Sequence, residues 1–173
     1  MTVSVDTIKE LRNITSASIG ECKKILIETK GNLEEAVKLL RKRGLEIAAK
    51  KMERNAKEGR IEAYVHQGNK MGVLIEVNCE TDFVAKSPDF AQFARDIAMH
   101  IAACSPAYIK KEDIPAEVLN KQEDKAQFVK ENCLLDQVFV KDSSISVNDY
   151  LGSIVAKMGE KIVINKFSRY KIG

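Results

Sequence analysis

The sequence predicts an α+β fold with an N-terminal three-helix module, a helical linker, and a core in which helices pack on a three-stranded antiparallel sheet. Apolar residues recur at helical spacing in the first 44 residues, and two alternating segments flank a turn at Gln67–Lys70. A third strand is predicted at the end of the chain. Because it lies far in sequence from the first two, we expect an α+β core and not alternating α/β units. The predicted domains are 1–44, 45–59 (the linker) and 60–173.

The N-terminal module is predicted from three short helices. The first runs through Val5, Ile8 and Leu11, and the second, through Ile25 and Leu26, follows a turn of small residues. The third has Asn32 as its N-cap and Gly44 as its predicted end. From Leu45 to Glu58 helix-forming residues continue with few large apolar ones, which predicts a solvated linker helix.

The first strand of the core shows strict alternation. Its apolar positions are Ile61, Ala63 and Val65, and His66 falls on the polar side. The return strand runs from Met71 to Asn78. The two predict an antiparallel hairpin.

The connection after this hairpin is the most distinctive part of the chain. Ser87 is a good N-cap and Pro88 fits the first position of a helix that we expect to continue to Ala103. Between strand and helix lie the four residues Thr81 to Val84, here called the tip. An isolated Phe is usually buried, but the polar neighbours of Phe83 predict that its ring points outward on a short, fixed connection.

The remaining elements are less clearly marked. A charged helix is predicted from Ala116 to Lys130, a further helix from Asn148 to Met158 with its end at Gly159, and a closing strand from Lys161 to Lys171.

Composition excludes several classes of protein. The chain has 173 residues, with no apolar run of the roughly 18 residues that a membrane helix needs. Its four cysteines are widely spaced, which favours reduced thiols in a cytosolic compartment. We therefore expect a cytoplasmic protein, or an organellar matrix protein if this is a mature organellar form.

No motif indicates an enzyme, a cofactor or a metal site. P-loop, dinucleotide-binding and zinc-protease patterns are absent from the sequence. His66 and His100 are solitary. Glu80 and Asp82 could form a carboxylate pair for acid–base chemistry, but a polar loop rim is the better interpretation.

A basic stretch offers an alternative function. Lys38 to Lys57 contains eight cations against Glu46 and Glu53, which could neutralise the phosphates of a nucleic acid. No aromatic residue accompanies them to stack on bases. A solvated face is favoured, and a small nucleic-acid-binding or ribosome-binding protein is kept as the second hypothesis.

Two segments resemble the bacterial and organellar elongation factor Ts family. The first is LRNITSASIGECKKIL, from Leu11 to Leu26; the second, far more specific, is EVNCETDFV, from Glu76 to Val84. The likeness extends through Ile114-Pro115, Phe139 to Asp142 and Gly159 to Ile164.

This resemblance implies a guanine-nucleotide exchange factor that binds elongation factor Tu in its GDP-bound and nucleotide-free forms, without binding the nucleotide itself. It also implies that the N-terminal module is similar to a ubiquitin-associated domain. In the family, the Asp-Phe pair of the TDFV motif enters the G domain of elongation factor Tu and disturbs the Mg²⁺ and phosphate site; the matching residues are Asp82 and Phe83, flanked by Thr81 and Val84. Arg12 and Ile19 match residues of a second contact.

The chain also departs from the family pattern. Many members have glycines and a second large apolar residue where this chain has Ser16, Ser18 and Gly20, so we expect a weaker or rearranged contact there. Long members contain a second core subdomain for which this chain has no room. Short members supply it by forming a homodimer, and the resemblance leaves a homodimer open here.

Overall fold

The computed structural model describes residues 3–15 and 17–173, so Ser16 of the first family segment lies outside the described residues. The helices and strands are α1 (Val5–Thr15), α2 (Ile19–Glu28), α3 (Leu33–Lys50), β1 (Glu58–Val65), β2 (Met71–Cys79), α4 (Asp82–Ala85), α5 (Pro88–Cys104), α6 (Ala116–Asn120), α7 (Lys125–Asn132), α8 (Val147–Met158) and β3 (Val163–Lys171). The predicted α+β class is confirmed. The domain limits and the likeness to a ubiquitin-associated domain stay predictions.

The three N-terminal helices surround a small core of their own. Its buried members are Leu11, Cys22, Ile25, Leu26, Ala36 and Leu40. Side-chain caps begin two of the helices: the Ser18 hydroxyl accepts the Glu21 N–H at 3.2 Å, and the Asn32 carbonyl oxygen accepts the Glu35 N–H at 3.1 Å. The three predicted helices are therefore present.

The predicted end of α3 at Gly44 is wrong, because the helix continues to Lys50. Gly44 instead lies at the crossing of α3 with α8, where a Cβ atom would stand 3.1 Å from the carbonyl oxygen of Gly152. The predicted linker helix is present only as far as Lys50, as the continuation of α3; a turn and an irregular segment follow, and Glu58 already begins β1. The linker helix is not solvated throughout, since Ile47 and Ala48 pack against the main core.

The sheet has the order β1-β2-β3 and is antiparallel throughout, which confirms the predicted three-stranded sheet. Tyr64 pairs with Val73 across the hairpin, and Ile75 pairs with Phe167 of β3. Two strands adjacent in sequence thus share the sheet with a strand from the end of the chain.

The faces of β1 are opposite to those that its alternation predicted. Ile61 and Val65 are exposed, whereas Glu62 and Tyr64 lie on the side that α5 covers. The pairing with β2 explains this, because directly paired residues point to the same face of a sheet. Tyr64 pairs with Val73 and Glu62 pairs with Ile75, and both of these β2 residues are buried. Arg60 pairs with Glu62 at 2.8 Å and so compensates its charge.

Helix α5 is the main core helix, as predicted. Its buried apolar residues are Phe90, Phe93, Ala94, Ile97, Ala98, Ile101 and Ala102. Ser87 caps its N-terminus, and the Arg169 guanidinium donates two hydrogen bonds, at 3.0 and 3.2 Å, to the Ala102 carbonyl near its C-terminus. Helix α8 ends at Gly159 in the left-handed conformation, φ 71°, also as predicted.

The single charged helix predicted from Ala116 to Lys130 is wrong, since two short helices, α6 and α7, occupy this region. Asp124 begins the second by accepting the Gln127 N–H at 2.9 Å. The break lets apolar residues of both helices pack on buried Ile114 and Cys133. None of the helices formed by the described residues is both long and apolar enough to cross a membrane.

Candidate partner-binding tip

The tip lies between the end of β2 and the start of α5. Thr81 is extended, and its hydroxyl accepts the Val84 N–H at 3.4 Å, so it acts as the N-cap of α4. Asp82 places a negative charge in the first turn of this helix. The connection is fixed, as predicted, but it is also helical, which was not predicted; a cap followed by an acidic residue is the sequence signal for this turn.

Phe83 points away from the molecule, and its side chain is 83% exposed. The two residues after it hold the helix in place, since Ala85 is buried and Val84 packs against the main core. The outward orientation predicted for Phe83 is therefore confirmed. A large aromatic ring this exposed, on a helical turn attached to the core, is suited to contact with another protein.

The two carboxylates beside the tip have separate partners. Asp82 binds Lys86 at 2.7 Å, and this hydrogen bond lowers the pKa of its carboxyl group. Glu80 accepts the Lys161 N–H at 2.6 Å, which lowers its pKa, and Arg54 adds a favourable charge at 3.4 Å. Asp82 thus stabilises the local turn, whereas Glu80 connects the start of the tip to a segment distant in sequence.

Arg12 and Ile19, the residues matched to the second contact, are both exposed. Arg12 lines a cleft of about 520 Å³ between the N-terminal helices and the core, whereas Ile19 is not among its lining residues. Asp89, in the first turn of α5, lines the opposite side. Because α5 begins directly after α4, the cleft and the tip adjoin the same helix end.

The two histidines occupy different environments. His66 is exposed, and its Nδ1 lies 3.0 Å from the Tyr64 hydroxyl. His100 is fully buried in α5. Its Nδ1 accepts the Val140 N–H at 3.2 Å and its Nε2 lies 2.9 Å from Oε1 of Gln137. Among the described residues no group of three or more His, Cys, Asp and Glu is arranged to hold a metal ion.

Four of the eight cations in the stretch Lys38–Lys57 have partners within the chain. Arg41 donates to Ser144, Arg43 pairs with Glu28, Lys51 donates to the Gly159 carbonyl, and Arg54 pairs with Glu80. The two ion pairs with carboxylates compensate the charge of Arg43 and Arg54, and the other two contacts fix the side chains of Arg41 and Lys51 against the protein. They weigh against the nucleic-acid hypothesis.

Comparison with known proteins agrees with the motifs. The family model described as Elongation factor TS matches residues 2–127. The chain belongs to the elongation factor Ts family. Elongation factor Ts of Caldanaerobacter subterraneus subsp. tengcongensis is 45% identical, with 99% of this chain and 97% of that protein aligned. Elongation factor Ts of Herpetosiphon aurantiacus is 44% identical, with 100% of this chain and 99% of that protein aligned. Elongation factor Ts of Geobacter sulfurreducens is 42% identical, with 100% of this chain and 91% of that protein aligned.

Family membership identifies the chain as a translation elongation factor. Its alignments with elongation factor Ts proteins extend over 192 to 196 positions, more than the 173 residues of this chain, so they include positions that this chain lacks.

Proposed function

We propose that this chain is a guanine-nucleotide exchange factor for elongation factor Tu, which binds Tu·GDP and promotes GDP release by inserting Asp82 and Phe83 near the Mg²⁺ and phosphate site. The observation that carries the proposal is the 83% exposure of Phe83 on a helical turn anchored to the core, within the TDFV sequence of the family. The chain acts by binding, without a chemical step of its own. We also propose that it acts in the cytoplasm, since its named relatives are bacterial elongation factors.

The free energies show that the tip cannot act alone. Burying a Phe side chain yields about 1.5–3 kcal/mol. Loosening a nucleotide 10⁴-fold requires about 5.5 kcal/mol of differential binding. The rest of this differential binding free energy is assigned to other surfaces of the chain, including the module that carries Arg12 and Ile19.

The position of the cleft supports contact with one partner at two places. Arg12 lies on one wall and Asp89 on the other, directly after the tip segment. A single G domain bound across this region would meet both the module and Phe83. The chain and GDP affect each other's binding to elongation factor Tu reciprocally. The factor by which the chain weakens the binding of GDP is also the factor by which GDP weakens the binding of the chain. GDP should therefore dissociate the complex of this chain with nucleotide-free elongation factor Tu.

The Phe83→Ala variant tests the proposal. It should keep the fold, because the ring is exposed, and it should lower the rate of GDP release roughly 10- to 100-fold, the equivalent of the burial energy of one Phe. Stopped-flow release of a fluorescent GDP from elongation factor Tu measures the rate. Val138→Ala is the matched control, since Val138 is also an exposed apolar residue and lies outside the tip and the module. An unchanged rate for Phe83→Ala would remove the role of the tip.

We further propose that two copies of the chain associate through the outer face of the sheet. This face carries Ile61, Val65 and Leu74, all substantially exposed, together with Tyr170 of β3. A second copy is the occupant that the family suggests for a short member. The outer face can meet its own equivalent across a twofold axis.

A further inference from the structure

Glu160, in the loop that follows α8, binds the chain where the tip begins. Its Oε2 accepts the N–H groups of Glu80 and Thr81 at 3.1 and 3.0 Å, and its Oε1 accepts the Thr81 hydroxyl at 2.6 Å. Glu160 and Thr81 are 79 residues apart in sequence. Hydrogen bonds to an ionised carboxylate are roughly twice as strong as neutral ones, so this is a substantial attachment.

The attachment is reciprocal. While Glu160 binds the backbone of Glu80, the Glu80 carboxylate accepts the Lys161 N–H at 2.6 Å. Each carboxylate therefore binds the main chain of the other segment. Two such connections hold the loop and the start of the tip at a defined separation and orientation.

The Thr81 hydroxyl links this attachment to α4. A hydroxyl has one proton, and here it is donated to Glu160, so the oxygen lone pairs remain available to accept the Val84 N–H. Glu160 thus favours the rotamer in which Thr81 caps α4. A helix of four residues is not stable by itself. The orientation of Phe83 must therefore depend on contacts of this kind.

The same loop is attached to the end of α3. Nζ of Lys161 donates to the carbonyl groups of Met52 and Arg54, and Nζ of Lys51 donates to the Gly159 carbonyl. Because α3 begins in the N-terminal module, the loop contacts both the chain leaving that module and the tip.

We propose that Glu160 is a positioning residue for the tip: its carboxylate fixes Thr81, and through it α4, so that Phe83 is presented in one orientation. This inference rests on the proposed exchange function. Glu160 acts through Thr81 and is not itself a contact for elongation factor Tu.

The Glu160→Ala variant should lower the maximal rate of GDP release, measured at saturating exchange factor, about tenfold. The concentration that gives half the maximal rate should change less than about twofold, because the binding surfaces remain. Glu160→Gln should recover most of the rate, since its amide oxygen can still accept the N–H groups of Glu80 and Thr81. Glu117→Ala, which removes the same charge from an exposed residue of α6, is the control and should behave as wild type.

A double variant separates positioning from a general effect on the fold. In the Phe83→Ala background the Glu160→Ala change should cause a much smaller further loss of rate than in the wild type, because no ring remains to be oriented and only Asp82 still depends on the position of α4. Amide exchange at Thr81 and Val84 should accelerate in Glu160→Ala, while the amides of β2 keep their protection. Should Glu160→Ala fail to unfold cooperatively, Glu160→Asp replaces it, since its carboxylate lies one methylene group farther from Thr81 and should give a similar loss.

The outcomes distinguish the two proposals. If the wild-type chain does not accelerate GDP release, the exchange function fails. If the wild type is active and Phe83→Ala is not, but Glu160→Ala releases GDP at the wild-type maximal rate, the positioning role alone is overturned. The positioning role would also be overturned if Glu160→Ala lowered the rate of GDP release by the same factor in the Phe83→Ala background as in the wild type.

Discussion

At the scale of single residues, buried polar side chains in this fold have defined partners. Asp96, almost fully buried, accepts from Gln92, Lys141 and Tyr150 at 2.7 to 3.0 Å. His100 is bound on both ring nitrogens. Because its Nδ1 accepts the Val140 N–H, the neutral ring carries its proton on Nε2 and donates it to Gln137. This explains His100 as a structural residue, in contrast to exposed Phe83.

His100 makes the stability of the fold sensitive to mild acid. Burial lowers the pKa of His100, with the hydrogen bond that it donates to Gln137 opposing this in part. Its pKa in the folded state is therefore below the unfolded value of about 6.5, so the unfolded state binds the proton more readily. The stabilising contribution should be complete above about pH 6.5 and be lost as pH falls below it. A tenfold difference in proton affinity corresponds to about 1.4 kcal/mol.

Urea unfolding at pH 7.5 and 5.5 measures this effect. The free energy of unfolding of the wild type should be lower at pH 5.5 than at pH 7.5, and that of His100→Gln should fall by less. His66→Gln is the control, because His66 is exposed and the chain has only these two histidines. Equal losses in wild type and His100→Gln would assign the pH dependence to other groups.

At the scale of elements, the starts of helices could be predicted because caps act locally. Ser87 and Asn32 each bind an N–H three residues ahead, so residue type and spacing suffice. The faces of β1 could not be predicted from β1 alone, since pairing with β2 decides them. Gly44 was misinterpreted for a similar reason: its local signal indicates a helix end, but its role comes from Gly152 of another helix.

The crossing of α3 and α8 predicts the effect of Gly44→Ala. In an exposed helix Ala would stabilise by about 1 kcal/mol relative to Gly. Here the added methyl meets a backbone carbonyl at 3.1 Å, and overpacking of this kind costs about 1–3 kcal/mol. We expect net destabilisation, seen as a lower urea midpoint. Gly20→Ala is the matched control, because its Cβ would meet no described atom within 4 Å, and it should stabilise. A Gly44→Ala variant as stable as Gly20→Ala would contradict the close packing.

At the scale of the whole molecule, the tip depends on contacts that join distant parts of the chain. The family resemblance of Glu76 to Val84 could be recognised from sequence, since these residues are contiguous; the partner-binding role of Thr81 to Val84 stays a proposal. Their attachment to Glu160 and Lys161 could not be predicted, because nothing local relates segments about 80 residues apart. The proposed exchange function places the tip and the cleft on one partner. It leaves the outer face of the sheet for a second copy.

The size of the sheet predicts how strong this association is. The strands have eight or nine residues and rise about 27–30 Å, and the three together span about 14 Å, so the face covers roughly 400 Å². A standard interface buries about 800 Å² on each partner. We therefore expect a weak dimer, populated at high concentration only, unless residues outside the sheet also contribute.

Sedimentation velocity over a wide concentration range tests this prediction. The wild-type chain should shift from monomer to dimer as concentration rises. Leu74→Lys should remain monomeric, because Leu74 is exposed in the central strand and a twofold axis places two added charges in one interface. Ile27→Lys, which adds the same charge at an exposed apolar residue of α2, should dimerise as wild type does. A wild-type chain that stays monomeric at every concentration would exclude the dimer, and equal dimerisation of Leu74→Lys would place the interface on another surface.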